Sequence, residues 1–100
     1  MKNMKYNVIL SNYAKDSIKS SIDYYKTISN KYSDRILNSV QKCIERISEF
    51  PMIYRTFDTN PIYRQAVILK KFVLIYTINN DSIIIHYFLE GTNDFAPLIK

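Results

Sequence analysis

Residues 72–89 read FVLIYTINNDSIIIHYFL, and this stretch decides the fold. Two apolar runs, Phe72–Ile78 and Ser82–Leu89, flank Asn79-Asn80-Asp81. Asn and Asp tolerate left-handed backbone and bond their own turn, so the triplet predicts a reversal between two strands. The flanking runs are strand-length and rich in β-branched and aromatic residues. Working upstream, Tyr63–Leu69 reads as another strand, joined to Phe72 through a tight Lys70-Lys71 connection. Three consecutive strands with short links form an antiparallel meander. Residues 52–61 carry the turn formers Asp58, Thr59, Asn60 and Pro61 and read as a loop.

Before that loop the period changes. Ile36, Leu37, Val40, Ile44 and Ile47 place one apolar face on a helix from about Lys31 to Glu49. Phe50-Pro51 stops it, because the residue before proline is pushed out of the helical region. Ala14, Ile18, Ile22 and Tyr25 mark a second stripe on a helix from Tyr13 to about Ile28, with Ser11 or Asn12 as its cap. The break at Ser29-Asn30 is short enough to make the two helices an antiparallel hairpin. Met4–Leu10 reads as the first strand, although Ile9 interrupts its polar face. Downstream, Glu90-Gly91-Thr92-Asn93-Asp94 leaves the sheet and Phe95–Ile99 forms a short tail. The expected class is α+β: strand, helix hairpin, then meander, with both helices on one face of a four-stranded sheet. The other face is expected to stay partly open unless the tail or a partner covers it. Residues 1–100 are read as a single domain.

Composition narrows the function. Apolar residues make up 47% of the chain and glycine occurs once, which argues against disorder. No apolar run approaches the ~18 residues of a membrane span. No signal-peptide stretch follows the N-terminal lysines, so a cytoplasmic location is expected. Cys43 is the single cysteine, so no intrachain disulfide can form; its helical neighbours make it a buried hydrophobe. With one histidine and one cysteine, a tetrahedral Cys/His zinc site cannot be built, and neither metal nor cofactor is expected. The net charge of +5 suits an acidic partner. Residues 1–50 hold nine Lys/Arg against five Asp/Glu, so the excess sits on the helical half, either as solvated helix faces or as a binding patch. The nine tyrosines fit an interface or an AT-rich codon bias equally well.

The order of elements, together with five stretches, resembles the RelE/ParE superfamily of toxins from bacterial type II toxin–antitoxin systems. The stretches are Tyr6–Ala14, Ile36–Pro51, Tyr63-Arg64-Gln65-Ala66-Val67, Phe72–Ile78 and Ile83–Asp94. The resemblance covers residues 4–96 and implies growth inhibition, a role in plasmid stabilisation, and a cognate antitoxin that wraps the toxin. It leaves the target open between the ribosome with its mRNA and DNA gyrase.

Nuclease members of the family cut mRNA without metal, by attack of a ribose 2′-hydroxyl on the adjacent phosphate. That reaction needs a base, cations for the phosphorane-like charge and a donor for the leaving oxygen. Arg64 matches the family's second-strand arginine, and a guanidinium grips phosphate in a fork. His86 and Tyr87 are the candidate acid and base. Strand alternation places them on opposite faces, so that at most one faces a site. Arg55, Lys70 and Lys71 are the candidate target-binding cations. The family's arginines after the last strand are replaced here by Thr92-Asn93, ahead of Asp94. A catalytically degenerate member that only binds its antitoxin is therefore a third reading. The second helix mixes Lys42 and Arg46 with Glu45 and Glu49, so DNA binding without the antitoxin is not expected.

Overall fold

A computed structural model describes residues 5–91. Its elements follow the expected order: β1 (Asn7–Leu10), α1 (Asn12–Lys26), α2 (Asn30–Glu49), β2 (Tyr63–Ile68), β3 (Phe72–Asn79) and β4 (Ser82–Glu90). Met4, expected to open the first strand, and the segment Thr92–Ile99 lie outside the described residues.

Ser11 is the cap of α1, its Oγ accepting from the Ala14 N–H at 3.0 Å. Ser29 does the same for α2 through the Tyr32 N–H at 3.1 Å. Each serine satisfies one of the N–H groups that a helix start leaves without a partner. The hairpin is pinned between its arms by Ser33, whose hydroxyl donates to the Ile22 carbonyl at 3.0 Å.

The sheet order is β1-β4-β3-β2. β2, β3 and β4 form the antiparallel meander, while β1 runs parallel to β4, with Val8 opposite Ile83 and Leu10 opposite Ile85. The helix hairpin carries the chain from one edge of the sheet to the other, so β1 and β2 become the two edges. Both helices pack on one face. Ala14, Tyr25, Ile36, Val40, Cys43 and Ile47 meet Ala66, Ile68, Phe72, Leu74, Tyr76, Ile83, Ile85 and Phe88 in the main core. The second face holds a smaller cluster of Phe57, Val73 and Ile75, edged by Tyr63, Tyr87 and Leu89. Phe57 comes from the loop between α2 and β2, so that loop supplies part of the cover expected of the tail or a partner.

Two local readings are corrected. The β2–β3 link is Leu69–Lys71, one residue longer than Lys70-Lys71, because Ile68 pairs with Phe72. Leu69 and Lys70 both sit at φ 55°, the left-handed geometry that matches the twist of a hairpin. The second correction concerns β4. Ile75 pairs with Tyr87 but Tyr76 pairs with Ile85, which leaves His86 as the extra residue of a β-bulge. Alternation therefore changes phase at His86. Ile83 and Ile85 face the helices upstream of it, and Phe88 does so downstream.

Tyr76 is fully buried and its hydroxyl donates to the Pro51 carbonyl at 2.6 Å. Burial pushes its pKa up to about 12, so the proton stays on the oxygen. Tyr76→Phe leaves that carbonyl without a donor and should lower unfolding free energy by about 1–3 kcal/mol in urea denaturation. An unchanged denaturation midpoint would remove Tyr76 from the account of how the loop is held.

Candidate functional site

The bulge builds the site. Because His86 is the inserted residue, it and Tyr87 lie on the same, helix-free face, contrary to simple alternation. Their rings are 6.3 Å apart. Tyr63 of β2 meets the His86 ring edge-on at 5.4 Å, and Tyr13 of the first turn of α1 meets Tyr87 at 5.5 Å. The result is a continuous aromatic row, Tyr63–His86–Tyr87–Tyr13, crossing the sheet from β2 to α1. Tyr13 is 55% exposed and ends the row in solvent.

Ser11 holds the bulge open. Its N–H donates to the Ile85 carbonyl at 2.9 Å and its hydroxyl to the His86 carbonyl at 2.8 Å. One residue thus caps α1, continues the β1–β4 pairing through the Ile85 carbonyl, and supplies a donor to the carbonyl of the inserted His86. On the β3 side, Thr77 Oγ1 lies 2.8 Å from His86 Nε2. A neutral imidazole satisfies that contact in either tautomer. Burial lowers the His86 pKa below its ordinary 6.5, so the ring is neutral at pH 7 and able to accept a proton.

The predicted cations do not join this row. Arg64 has the alternation of Ala66 and Ile68, toward the helix side. Its Nη1 donates to the Tyr54 carbonyl at 2.7 Å and the Met52 carbonyl at 3.3 Å. Lys71 lies 3.7 Å from a Glu90 carboxylate oxygen and over the Tyr25 ring at 4.8 Å, while the Tyr25 hydroxyl donates to that same oxygen at 2.6 Å. Lys70 is exposed at the hairpin tip, and Arg55 is exposed with its carbonyl accepting from the Gln65 N–H. Among the described residues, no hydrogen bond or ring contact links any of these four cations to His86 or Tyr87. Nor do any three His, Cys, Asp or Glu side chains among them cluster as metal ligands. Thr92-Asn93, where the resemblance places arginines, lies outside the described residues.

Sequence reading missed Ser11, Tyr63 and Thr77 as neighbours of His86, and Tyr13 as the neighbour of Tyr87. Thr77 carried a signal, as the one polar side chain within Phe72–Ile78. The other three needed the register.

A family model described as the ParE toxin of the type II toxin–antitoxin system parDE matches residues 8–95. The chain belongs to the ParE toxin family. A solved structure titled the chromosomal ParDE TA system from P. aeruginosa shares the fold at a TM-score of 0.74. It covers 91% of this chain and 100% of its own at 11% identity. Comparison with curated protein sequences returns no match. No described helix is long and apolar enough to cross a membrane.

Two outcomes follow for this ParE-family chain. Arg64→Ala removes the donor to the Met52 and Tyr54 carbonyls and should cost about 1–3 kcal/mol of stability. Wild-type stability with lost toxicity would instead make Arg64 a target-contacting group. The second outcome concerns pH. His86 is depressed in the folded chain, so the unfolded chain binds the proton first as pH falls. Its neutral state adds stability above pH 6.5 that is lost as pH falls toward the lower folded value. His86→Gln should flatten the stability profile below pH 6.5, measured by thermal melts, and an unchanged slope would place the acid sensitivity elsewhere.

Proposed function

We propose that this chain is the toxin half of a two-gene pair, held inactive by a cognate antitoxin of the ParD kind, and that it acts by binding DNA gyrase without chemistry of its own. Family membership supports the first part. The second is carried by one observation: Arg64 and Lys71, two of the four cations expected to grip phosphate, are engaged in structural contacts away from the His86–Tyr87 row, and no contact brings Arg55 or Lys70 to it. What the helix-free face offers instead is aromatic contact area with hydroxyl edges, which suits a protein surface.

One observation favours a second reading. A neutral imidazole beside a tyrosine offers a base and an acid of the kind that metal-free mRNA cleavage needs for proton transfer. The two readings separate with purified chain. We expect inhibition of gyrase supercoiling, with mRNA on programmed ribosomes left intact. Message cleavage that His86→Gln abolishes, with supercoiling unaffected, would replace gyrase by the ribosome. Growth that continues on expression without the antitoxin would leave only an antitoxin-binding module.

A further inference from the structure

The side chains of α2 sort by charge between two grooves. Glu45 lines the groove beside β1, whereas Ser39, Lys42, Cys43 and Arg46 line one of about 210 Å³ that α2 forms with Tyr54 and the end of β2. No carboxylate lines this second groove. It lies on the helix side of the sheet and shares no residue with the aromatic row of the helix-free face.

The polar groups of the groove are left with protons to give. The two ion pairs among the described residues, Lys19–Asp23 and Lys71–Glu90, use neither Lys42 nor Arg46. Lys42 and Ser39 have no side-chain hydrogen bond among the described residues. Arg46 uses Nη1 to donate to the Tyr54 hydroxyl at 3.2 Å. The same hydroxyl receives the Cys43 thiol at 3.8 Å, and burial keeps that thiol protonated. Tyr54 therefore accepts twice, and among the described residues its own proton has no acceptor. On the sheet side, the loop pairs with Tyr63 and Gln65 and stops there. By the two-residue repeat of a strand, the N–H and carbonyl of Val67 point the same way as theirs, and no described residue bonds them. Lys42 and Arg46 are also like charges one turn apart on a helix, a spacing that repels unless an anion sits between them.

We propose that this groove binds the phosphate end of a phosphomonoester, its dianion set between Lys42 and Arg46 with the Tyr54 hydroxyl as a neutral donor. Charge and shape both select that group. A phosphomonoester carries nearly two charges at pH 7 and three terminal oxygens, and a guanidinium takes two oxygens in its fork. A carboxylate or a phosphodiester brings one charge and two free oxygens, which leaves a cation and a donor over. The volume is below the roughly 300–1,000 Å³ of pockets that enclose a drug-sized ligand, so the groove takes the phosphate and leaves the rest of the molecule outside.

Methyl phosphate, dimethyl phosphate and acetate, each titrated into the full chain at constant ionic strength, separate these groups, with backbone amide shifts in nuclear magnetic resonance spectra as the readout. We expect saturable shifts at Lys42, Arg46 and Val67 with methyl phosphate, and affinities at least about fivefold weaker for the other two probes. Methyl phosphate itself should weaken by about fivefold once the pH falls below its second pKa of about 6, where it loses a charge. K42Q breaks no bond among the described residues and should weaken methyl phosphate about tenfold; Y54F should do so about threefold, with thermal melts checking the fold of both. K15Q/K26Q removes two exposed lysines of α1 and should change the affinity by less than about twofold. Shifts that never saturate, equal affinity for all three probes, or K42Q binding like the wild type would each overturn the proposal. A K15Q/K26Q loss as large as that of K42Q would do the same, because it would reduce the binding to net charge.

Discussion

After α2 ends, the chain must cross from the helix layer to the sheet edge, and the carbonyls along that crossing need donors. Two side chains supply them. Tyr76, fully buried in the central strand β3, donates to Pro51, and Arg64 of β2 donates to Met52 and Tyr54. Tyr76 and Arg64 are direct partners across the β2–β3 ladder, so one rung of the sheet holds the whole crossing. Everything at this end of the molecule follows from that rung. The loop is drawn against β2, residues 55–57 become a partial outer strand, and Phe57 is delivered to the second face. Because the loop's pairing stops before Val67, half of the edge is left unpaired next to the basic side of α2.

The opposite end depends on Ser11. Its side chain starts α1 and, with its own N–H, receives the carbonyls of Ile85 and His86. The bulge is thereby tied to the β1–α1 junction, and Tyr13, two residues later in the first turn of α1, meets Tyr87 edge-on. The aromatic row and the start of the helix hairpin are thus parts of a single arrangement.

The layer architecture was legible because it rests on period. The helix stripes of Ala14–Tyr25 and Ile36–Ile47, and the run Phe72–Leu89 broken by Asn79-Asn80-Asp81, each point to one local structure. The site was less legible, for two reasons. A bulge leaves no mark in the identity of the inserted residue, so alternation through His86 assigned it and Tyr87 to opposite faces. Arg64 drew attention as a strand arginine, but its hydrogen bonds go to carbonyls twelve and ten residues upstream, which no periodicity encodes. Lys71 is a similar case, since its partner Glu90 is set by the β3–β4 register.

The bulge at His86 also acts as a reading-frame shift within β4. Upstream of it odd-numbered residues face the helices, and downstream even-numbered ones do. Removing that one position would join the two frames into a plain ladder, with Ile83, Ile85 and Phe88 still on the core side and Tyr87 and Leu89 still on the other. The strand's core-facing pattern is therefore complete without its histidine. Selection on folding and selection on the helix-free face can then act on β4 separately, the first through its isoleucines and phenylalanine, the second through a residue that can be gained or lost without disturbing them.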